Sequence, residues 1–563
     1  MKYLATISFA ALLFAMLLGT ASEAFAGSYP ITHVIFIMQE NRSFDQYFGS
    51  FPGAIGDPAG TCVPLSTSNH SLGCVVPFHD VHDVNAGASH TAAAAKTDMD
   101  NGISSNLMDG FVTEQTKSHQ CNSGAGGESC TQALDGVARH DTMGYHTDQE
   151  IPNYWAYAEN FVLQEQLFDS VRSWSYPSHL YLTSEWSAKC TNSSSASTCS
   201  TLANLAGPSS TTVLPWVNLF QLLDTNNVSW KYYLGNGTEP DCDDDEMTCA
   251  PQVQTSTVGS IWNPAPLFSY IKAQGSSYLT AHNPKIDQFL LDVKNGTLPS
   301  VSWIVPSNTY SEHPDNGVDR GMEYVTSMVN AVMQSQYWGN TAIFISWDDW
   351  GGFYDNVVPP VVDMNSNTTT PVQGFGLRVP GLLVSAYAKP GYIDNSPMSF
   401  DAYATFIENI FMNGARLNPA AMGNPDSRPD IRDALTTVTY PNGTTTPIGD
   451  LRNEFNFKQS ALPPLVLSTH IPTGINANCN PNNREACSLQ TVTISWAPVT
   501  GTDVPGPFTY HVQRNGVELK QCIGSASSCT DTPGTGTWLY RAYSVDSSNV
   551  ASPLSAAAEA DEP

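Results

Sequence analysis

The sequence predicts an α/β domain with a mostly parallel sheet flanked by helices, followed by a smaller all-β sandwich. Three observations carry that expectation: apolar runs about five residues long, a stretch of helical periodicity between two of them, and a change to strand-like alternation after Leu462-Pro463-Pro464. A short run that is apolar at every position suits a strand covered on both faces, as in a parallel sheet under helices. A half-exposed strand alternates instead.

In chain order, Val34-Ile35-Phe36-Ile37-Met38 is the first continuous run and Val301–Val305 the second. Met322, Val325, Val329, Val332 and Met333 then recur at helical spacing, and 342–347 returns to strand character. Strand, helix and strand at this spacing read as a βαβ unit. A fourth buried strand is expected near 382–384. The helix after it carries Tyr403, Phe406, Ile407, Ile410 and Phe411 on one face, with Ser399 as its N-cap. Further on, Val492, Ile494 and Trp496 alternate with Thr491, Thr493 and Ser495, Asn515-Gly516 marks a hairpin, and 539–545 is another strand. These short strands predict the sandwich, over 468–563.

Lys2, the apolar stretch 4–18 and Ala24-Phe25-Ala26 before Gly27 read as a cleaved signal peptide over 1–26, which leaves 27–462 for the α/β domain. The chain is therefore expected to be secreted or periplasmic. The apolar stretch is short of the roughly 20 residues a membrane span needs, so no transmembrane anchor is expected. Twelve cysteines fall into close sequential pairs: Cys62/Cys74, Cys121/Cys130, Cys190/Cys199, Cys242/Cys249, Cys479/Cys487 and Cys522/Cys529. They read as local disulfides made in an oxidising compartment, and no C-x-x-C spacing suggests zinc.

Composition excludes some functions. With 23 Lys+Arg against 52 Asp+Glu the formal net charge is −29, which opposes binding to a nucleic-acid backbone. The 12 Trp, 23 Tyr and 23 Phe are incompatible with a disordered chain.

Three of the apolar strands end in polar clusters: Gln39-Glu40-Asn41-Arg42-Ser43-Phe44-Asp45, Ser311-Glu312-His313-Pro314 and Asp348-Asp349-Trp350-Gly351-Gly352-Phe353. In open α/β sheets ligands bind outside the carboxyl ends of the strands, so these clusters are expected to converge. Adjacent aspartates there repel each other unless a positive charge sits between them. One divalent metal ion held through oxygen by Glu40, Asn41, Asp348 and Asp349 supplies it. A fourth element, Arg172-Ser173-Trp174-Ser175-Tyr176-Pro177-Ser178-His179, places Ser175 at a turn just ahead of a helix whose N–H groups favour an anion. Ser173 and Ser178 are alternatives to it.

The stretch from Ile31 to Gly49, His33-Val34-Ile35-Phe36-Ile37-Met38-Gln39-Glu40-Asn41-Arg42-Ser43-Phe44-Asp45 included, resembles the opening signature of the bacterial phosphoesterase family. That family contains non-haemolytic phospholipases C and respiratory-burst-inhibiting acid phosphatases. Ile151-Pro152-Asn153-Tyr154-Trp155-Ala156-Tyr157-Ala158, Ser311-Glu312-His313-Pro314, Trp347-Asp348-Asp349-Trp350-Gly351-Gly352-Phe353-Tyr354-Asp355 and Arg378-Val379-Pro380 are similar to it in the same order. The resemblance implies an alkaline-phosphatase-like core and a metal-bound nucleophile, which falls on Ser175. It places the metal set on Glu40, Asn41, Ser175, Asp348 and Asp349. It also implies histidines at His313 and at His90, with His79 and His82 close enough to compete; His282 is a weaker candidate. Asn356 and Asn395 stand where many members have His.

The chemistry expected is hydrolysis of a phosphoric ester through a phosphoserine intermediate, with His313 or His90 protonating the leaving alcohol. The substrate is a phospholipid head group, as for a phospholipase C, or a small phosphate ester, as for an acid phosphatase. A non-catalytic surface-binding protein is the opposing class, and a sulfatase is disfavoured because no Cys-x-Pro-x-Arg motif occurs. The later strand pattern is similar to a fibronectin type III module.

Overall fold

The strands that read as continuous apolar runs lie at the centre of one large sheet. The computed structural model describes residues 29–99, 107–117, 140–239, 251–314, 316–362, 374–429, 431–478, 491–499 and 506–562. The sheet contains β1 (His33–Gln39), β2 (Val162–Gln164), β3 (Trp230–Leu234), β4 (Val301–Val305), β5 (Thr341–Trp347), β6 (Gly381–Ser385) and β7 (Tyr392–Asp394). Their spatial order is β7-β2-β6-β5-β1-β4-β3. β1 pairs in parallel with both β4 and β5, β4 with β3, and β2 with β7. β6 is reversed, antiparallel to both β5 and β2. The fold is mixed α/β with a mostly parallel sheet.

Helix α2 (Val318–Met333) joins β4 to β5, so the expected strand–helix–strand unit forms. β1 is inserted between its two strands, a pairing between distant segments that local pattern does not encode. β3 gave no apolar run because Lys231 interrupts it; the ammonium reaches out to Asp292 at 2.5 Å. Helix α3 (Phe400–Phe411) buries Tyr403, Phe406 and Ile407 as expected, and Phe406 packs edge-on against Phe344 of β5 at 5.5 Å. Ser399 occupies the N-cap, but its hydroxyl donates to Asp401 Oδ2 at 2.5 Å rather than capping a helix N–H.

The C-terminal strands form two antiparallel sheets. One contains β8 (Thr473–Asn478), β9 (Val492–Ala497) and β12 (Ser528–Asp531); the other contains β10 (Thr509–Arg514), β11 (Val517–Glu518), β13 (Gly536–Val545) and β14 (Ala558–Glu562). Val492, Ile494, Trp496, Val512 and Tyr540 belong to one apolar cluster shared by both sheets. Asn515 and Gly516 turn the β10–β11 hairpin at φ 46° and 78°, the paired positive values of a type I′ turn. This module is joined to the α/β region by the Arg541–Glu150 ion pair at 2.6 Å and by the Gly474 N–H, which donates to Asp319 Oδ2 at 3.0 Å.

Disulfides join Cys62 to Cys74, Cys190 to Cys199 and Cys522 to Cys529. The other three expected cysteine pairs and the 1–26 leader lie outside the described residues. Among the described residues, no helix is long and apolar enough to cross a membrane.

Candidate active site

Because β1, β4 and β5 run parallel side by side, their carboxyl ends share one edge of the sheet and the three polar clusters emerge together. Backbone hydrogen bonds hold them there. Glu40 N–H donates to Ser311 O at 2.9 Å, Asp348 N–H to Gln39 O at 3.0 Å, and Arg42 N–H to Asp349 O at 3.0 Å. The chain leaves β1 through Asn41 at φ 61°, a left-handed position that Asn tolerates. There the Asn41 N–H donates to Asp348 Oδ1 at 2.9 Å, and its Nδ2 lies 3.1 Å from Asp349 Oδ1 and 2.7 Å from His90 Nε2.

Two glycines allow this convergence. Gly351 and Gly352 have φ of 60° and 73°. A Cβ on Gly351 would lie 2.5 Å from Asn41 O, and one on Gly352 would lie 2.5 Å from Ala88 Cβ. Any side chain there would push away the turn carrying Asn41 or the loop carrying His90.

Ser175 is the first residue of helix α1 (Ser175–Ser184) and is fully buried. Its Oγ donates to Asp349 Oδ2 at 3.4 Å. The first-turn N–H groups of a helix have no intrahelical acceptor and carry partial positive charge, so negative charge on that oxygen is favoured. Of the competing serines, Ser178 directs its hydroxyl to Asp169 Oδ1 at 2.5 Å and Asp348 O at 2.6 Å, and the Ser173 hydroxyl makes no hydrogen bond.

The three early histidines separate clearly. His90 is 1% exposed, with Nε2 at 3.6 Å from Asp349 Oδ2 and Nδ1 at 3.1 Å from Ala88 O. His79 instead meets Glu150 at 2.8 Å, and His82 meets Asp80 at 2.7 Å and Glu559 at 3.5 Å, in the seam with the C-terminal module. His313 joins His90, their ring centres 6.3 Å apart. His282 stacks on Tyr278 at 3.9 Å instead, at the end of a short helix. Asn356 binds Arg378 and the Gly56 carbonyl, and Asn395 is exposed.

Two participants were not singled out from sequence. His179 lies one helical turn after Ser175, with Nε2 3.1 Å from Glu40 Oε1 and 3.8 Å from Asp348 Oδ2. One ligand atom each from Glu40, His179 and Asp348 lie within 4.8 Å of one another. The i, i+4 spacing from Ser175 was the available signal, since such residues share a helix face. The second is Glu312, buried at φ 66° and surrounded by donors. It accepts from Tyr154 at 2.5 Å, Tyr47 at 2.6 Å, Trp347 at 3.0 Å and Gln39 at 3.1 Å. Burial raises its carboxyl above the usual range while the Tyr154 and Tyr47 hydroxyls pull it back. Gly321, inside α2, makes room for it: a Cβ there would lie 2.1 Å from Glu312 Cγ.

The donor set suits a hard cation. Glu40, Asp348 and Asp349 are buried carboxylates, and Asp348 Oδ2 and Asn41 Oδ1 accept no hydrogen bond. Buried oxygens left in this state are uncommon, and a divalent ion with oxygen ligands satisfies them. The cluster is thus compatible with a metal ion.

Comparison with known proteins bears on what this site does. The sequence model of the phosphoesterase family matches residues 31–412. The non-hemolytic phospholipase C of Burkholderia pseudomallei is 28% identical over 417 residues, which are 68% of this chain and 55% of that protein. The hemolytic phospholipase C of Pseudomonas aeruginosa is 25% identical over 479 residues, 75% of this chain and 59% of that protein. Phospholipase C A of Mycobacterium tuberculosis is 27% identical over 403 residues, 64% of this chain and 68% of that protein. The chain thus spans only 55% and 59% of the length of the first two. A solved protein of the alkaline phosphatase superfamily from Vibrio parahaemolyticus overlays 72% of this chain and 76% of its own at 11% identity and a TM-score of 0.27, too loose a likeness to bear on the fold.

Proposed function

The chain belongs to the phosphoesterase family, and from that premise we propose that it hydrolyses phosphoric diesters in the manner of a phospholipase C, with Ser175 as nucleophile. The observation that carries the reading is the position of Ser175 Oγ, at a helix N-terminus and 3.4 Å from Asp349 Oδ2, within the cluster of Asn41 and His90. The phospholipase C relatives support the diester as substrate.

Glu40, Asn41, Asp348 and Asp349, with the Ser175 oxygen, are the residues that would hold the metal ion. Bound there, a divalent cation supplies the positive charge that favours the serine alkoxide and offsets charge on the phosphoryl oxygens. His179 orients Glu40 through the 3.1 Å contact. The Ser175 proton passes to Asp349 Oδ2, and the N–H groups of the first turn of α1 stabilise the oxygen left behind. Ser175 Oγ then bonds to phosphorus as the bond to the leaving alcohol breaks. His313 or His90 gives that alcohol its proton. Water opens the phosphoserine, releasing a phosphomonoester and restoring the hydroxyl.

The same reading takes 1–26 as an export signal, 27–462 as an alkaline-phosphatase-like catalytic domain and 468–563 as a fibronectin type III-like sandwich acting as a spacer. The test compares a phosphocholine diester with an aryl phosphate monoester, before and after chelation, for the wild type and Ser175→Ala. Diester hydrolysis lost on chelation and in the variant is expected. Activity confined to the monoester makes the protein a phosphatase. Activity surviving Ser175→Ala refutes the nucleophile, and inactivity on both esters without bound metal refutes the enzyme reading in favour of a binding protein.

A further inference from the structure

The far end of α1 carries a second group of buried carboxylates that hydrolysis does not use. Glu185 terminates the helix, Glu408 lies on α3, and Asp433 lies in the short turn Arg432–Ala434. One carboxylate oxygen from each lies within 4.8 Å of the others, and the residues are 1%, 0% and 5% exposed. Like charges this close, out of water, repel strongly. The location adds to the difficulty, because the last carbonyls of a helix carry partial negative charge.

The partners within reach do not balance the group. Arg416 Nη1 reaches Glu408 Oε2 at 3.2 Å and divides its contacts with Asn409 Oδ1 at 3.0 Å. Arg428 forks onto Asp426, and Arg432 lies 3.7 Å from Asp401. Leu417 N–H donates to Glu408 Oε1 at 2.8 Å and to Asp433 Oδ2 at 3.1 Å, and Asp433 N–H to Glu185 Oε2 at 3.4 Å. Glu185 Oε1 and Asp433 Oδ1 are left buried with no hydrogen-bond partner. A proton shared between two of the carboxyls would serve one pair and leave the third carboxylate exposed to their charge.

We propose that Glu185, Glu408 and Asp433 form a structural site for a hard divalent cation of the calcium type, distinct from the Ser175 cluster, which pins the C-terminal end of α1 to α3 and to the 432–434 turn. All three ligands offer carboxylate oxygen, which selects calcium-like ions over thiolate- or imidazole-seeking ones. α1 has 10 residues, about 15 Å at the helical rise, so the two clusters occupy opposite ends of one rigid element.

Calcium alone is the probe. A chelator-stripped Glu40→Gln/Asp348→Asn protein, with the Ser175 cluster disabled, should take up one equivalent of Ca²⁺ at neutral pH and gain several degrees in apparent unfolding temperature. Adding Glu408→Gln should weaken that uptake by at least about tenfold and remove the thermal gain. The wild-type chain gives the same reading without the disabled background, since it should lose one equivalent of divalent ion when Glu408→Gln or Asp433→Asn is introduced. No Ca²⁺ uptake by the disabled protein overturns the proposal, as does uptake that ignores both trio variants. A Glu408→Gln protein more stable than its parent and indifferent to Ca²⁺ shows a trio held by protons, and overturns it too.

Discussion

The two ends of α1 face the same problem, buried negative charge, under opposite conditions. At the N-terminal end, Asp348 Oδ1 accepts the N–H groups of Asn41 and Asp349 at 2.9 Å each, and Asp349 Oδ1 accepts Gly351 N–H at 2.8 Å. The helix itself favours anions at that end. At the C-terminal end, Glu185, Glu408 and Asp433 meet fewer donors, and the helix opposes them. The first arrangement is compatible with a metal ion and places the Ser175 hydroxyl, the proposed nucleophile, 3.4 Å from Asp349 Oδ2. The second has no nucleophile among its three carboxylates and gains only from a cation that stays. Position along one helix thus separates the cluster proposed to be catalytic from the one proposed to be structural, made of similar side chains.

The largest expected effect breaks the comparison at its reactive end. Ser175→Ala should lower kcat by roughly 10³-fold or more with the unfolding temperature unchanged, read by steady-state kinetics beside a melting curve. A comparable loss of stability would mean that the hydroxyl serves packing instead. Next, Asp348→Asn keeps the shape but removes one charge. It should lose the chelator-sensitive ion and drop kcat/KM by roughly 10²-fold, checked by metal analysis of the purified protein.

Glu312 tests whether the cage around the cluster matters through structure alone. Glu312→Ala removes the acceptor of the Tyr154, Tyr47 and Trp347 donors, while Gln39 keeps the Tyr310 carbonyl, and should cost about 3 kcal/mol in denaturant unfolding. Glu312→Gln retains one acceptor oxygen and should cost distinctly less.

An effect of similar size, but pH-dependent, probes the loop beside the N-terminal end. His146 supports the loop leading to His90, with Nδ1 2.9 Å from Asp80 O and Nε2 2.9 Å from Asn85 Oδ1. Burial, the dominant cause, lowers its pKa from 6.5 to about 4. A folded-state pKa below the unfolded value means stability that is present above about pH 6.5 and is lost as pH falls toward 4. The loss should be about 3 kcal/mol. Urea unfolding across that window should show the decline in the wild type and a flatter limb in His146→Gln.

The elements legible beforehand were those whose signal is local. β1, β4 and β5 are apolar at nearly every position, α2 and α3 repeat at helical spacing, and Asn515-Gly516 specifies its own turn. The convergence of the polar clusters was legible for the same reason, since Glu40-Asn41 and Asp348-Asp349 directly follow their strands. β2 and β7, three residues each, are too short to show a period, and β3 is masked by Lys231.

The sequence by itself determined the apolar strands, the strand-end carboxylates and a serine beside a helix N-terminus, because periodicity and residue chemistry act over a few positions. Only the tertiary structure decided that His90 reaches Asn41 while His79 and His82 turn to Glu150 and Asp80. It also decided that His179 contacts Glu40, that Glu312 is enclosed by four donors, and that Glu185 meets Glu408 and Asp433. Each of these is a contact between distant segments. Such contacts follow from the order of strands in the sheet and the space left by residues such as Gly321 and Gly351, which no local pattern records.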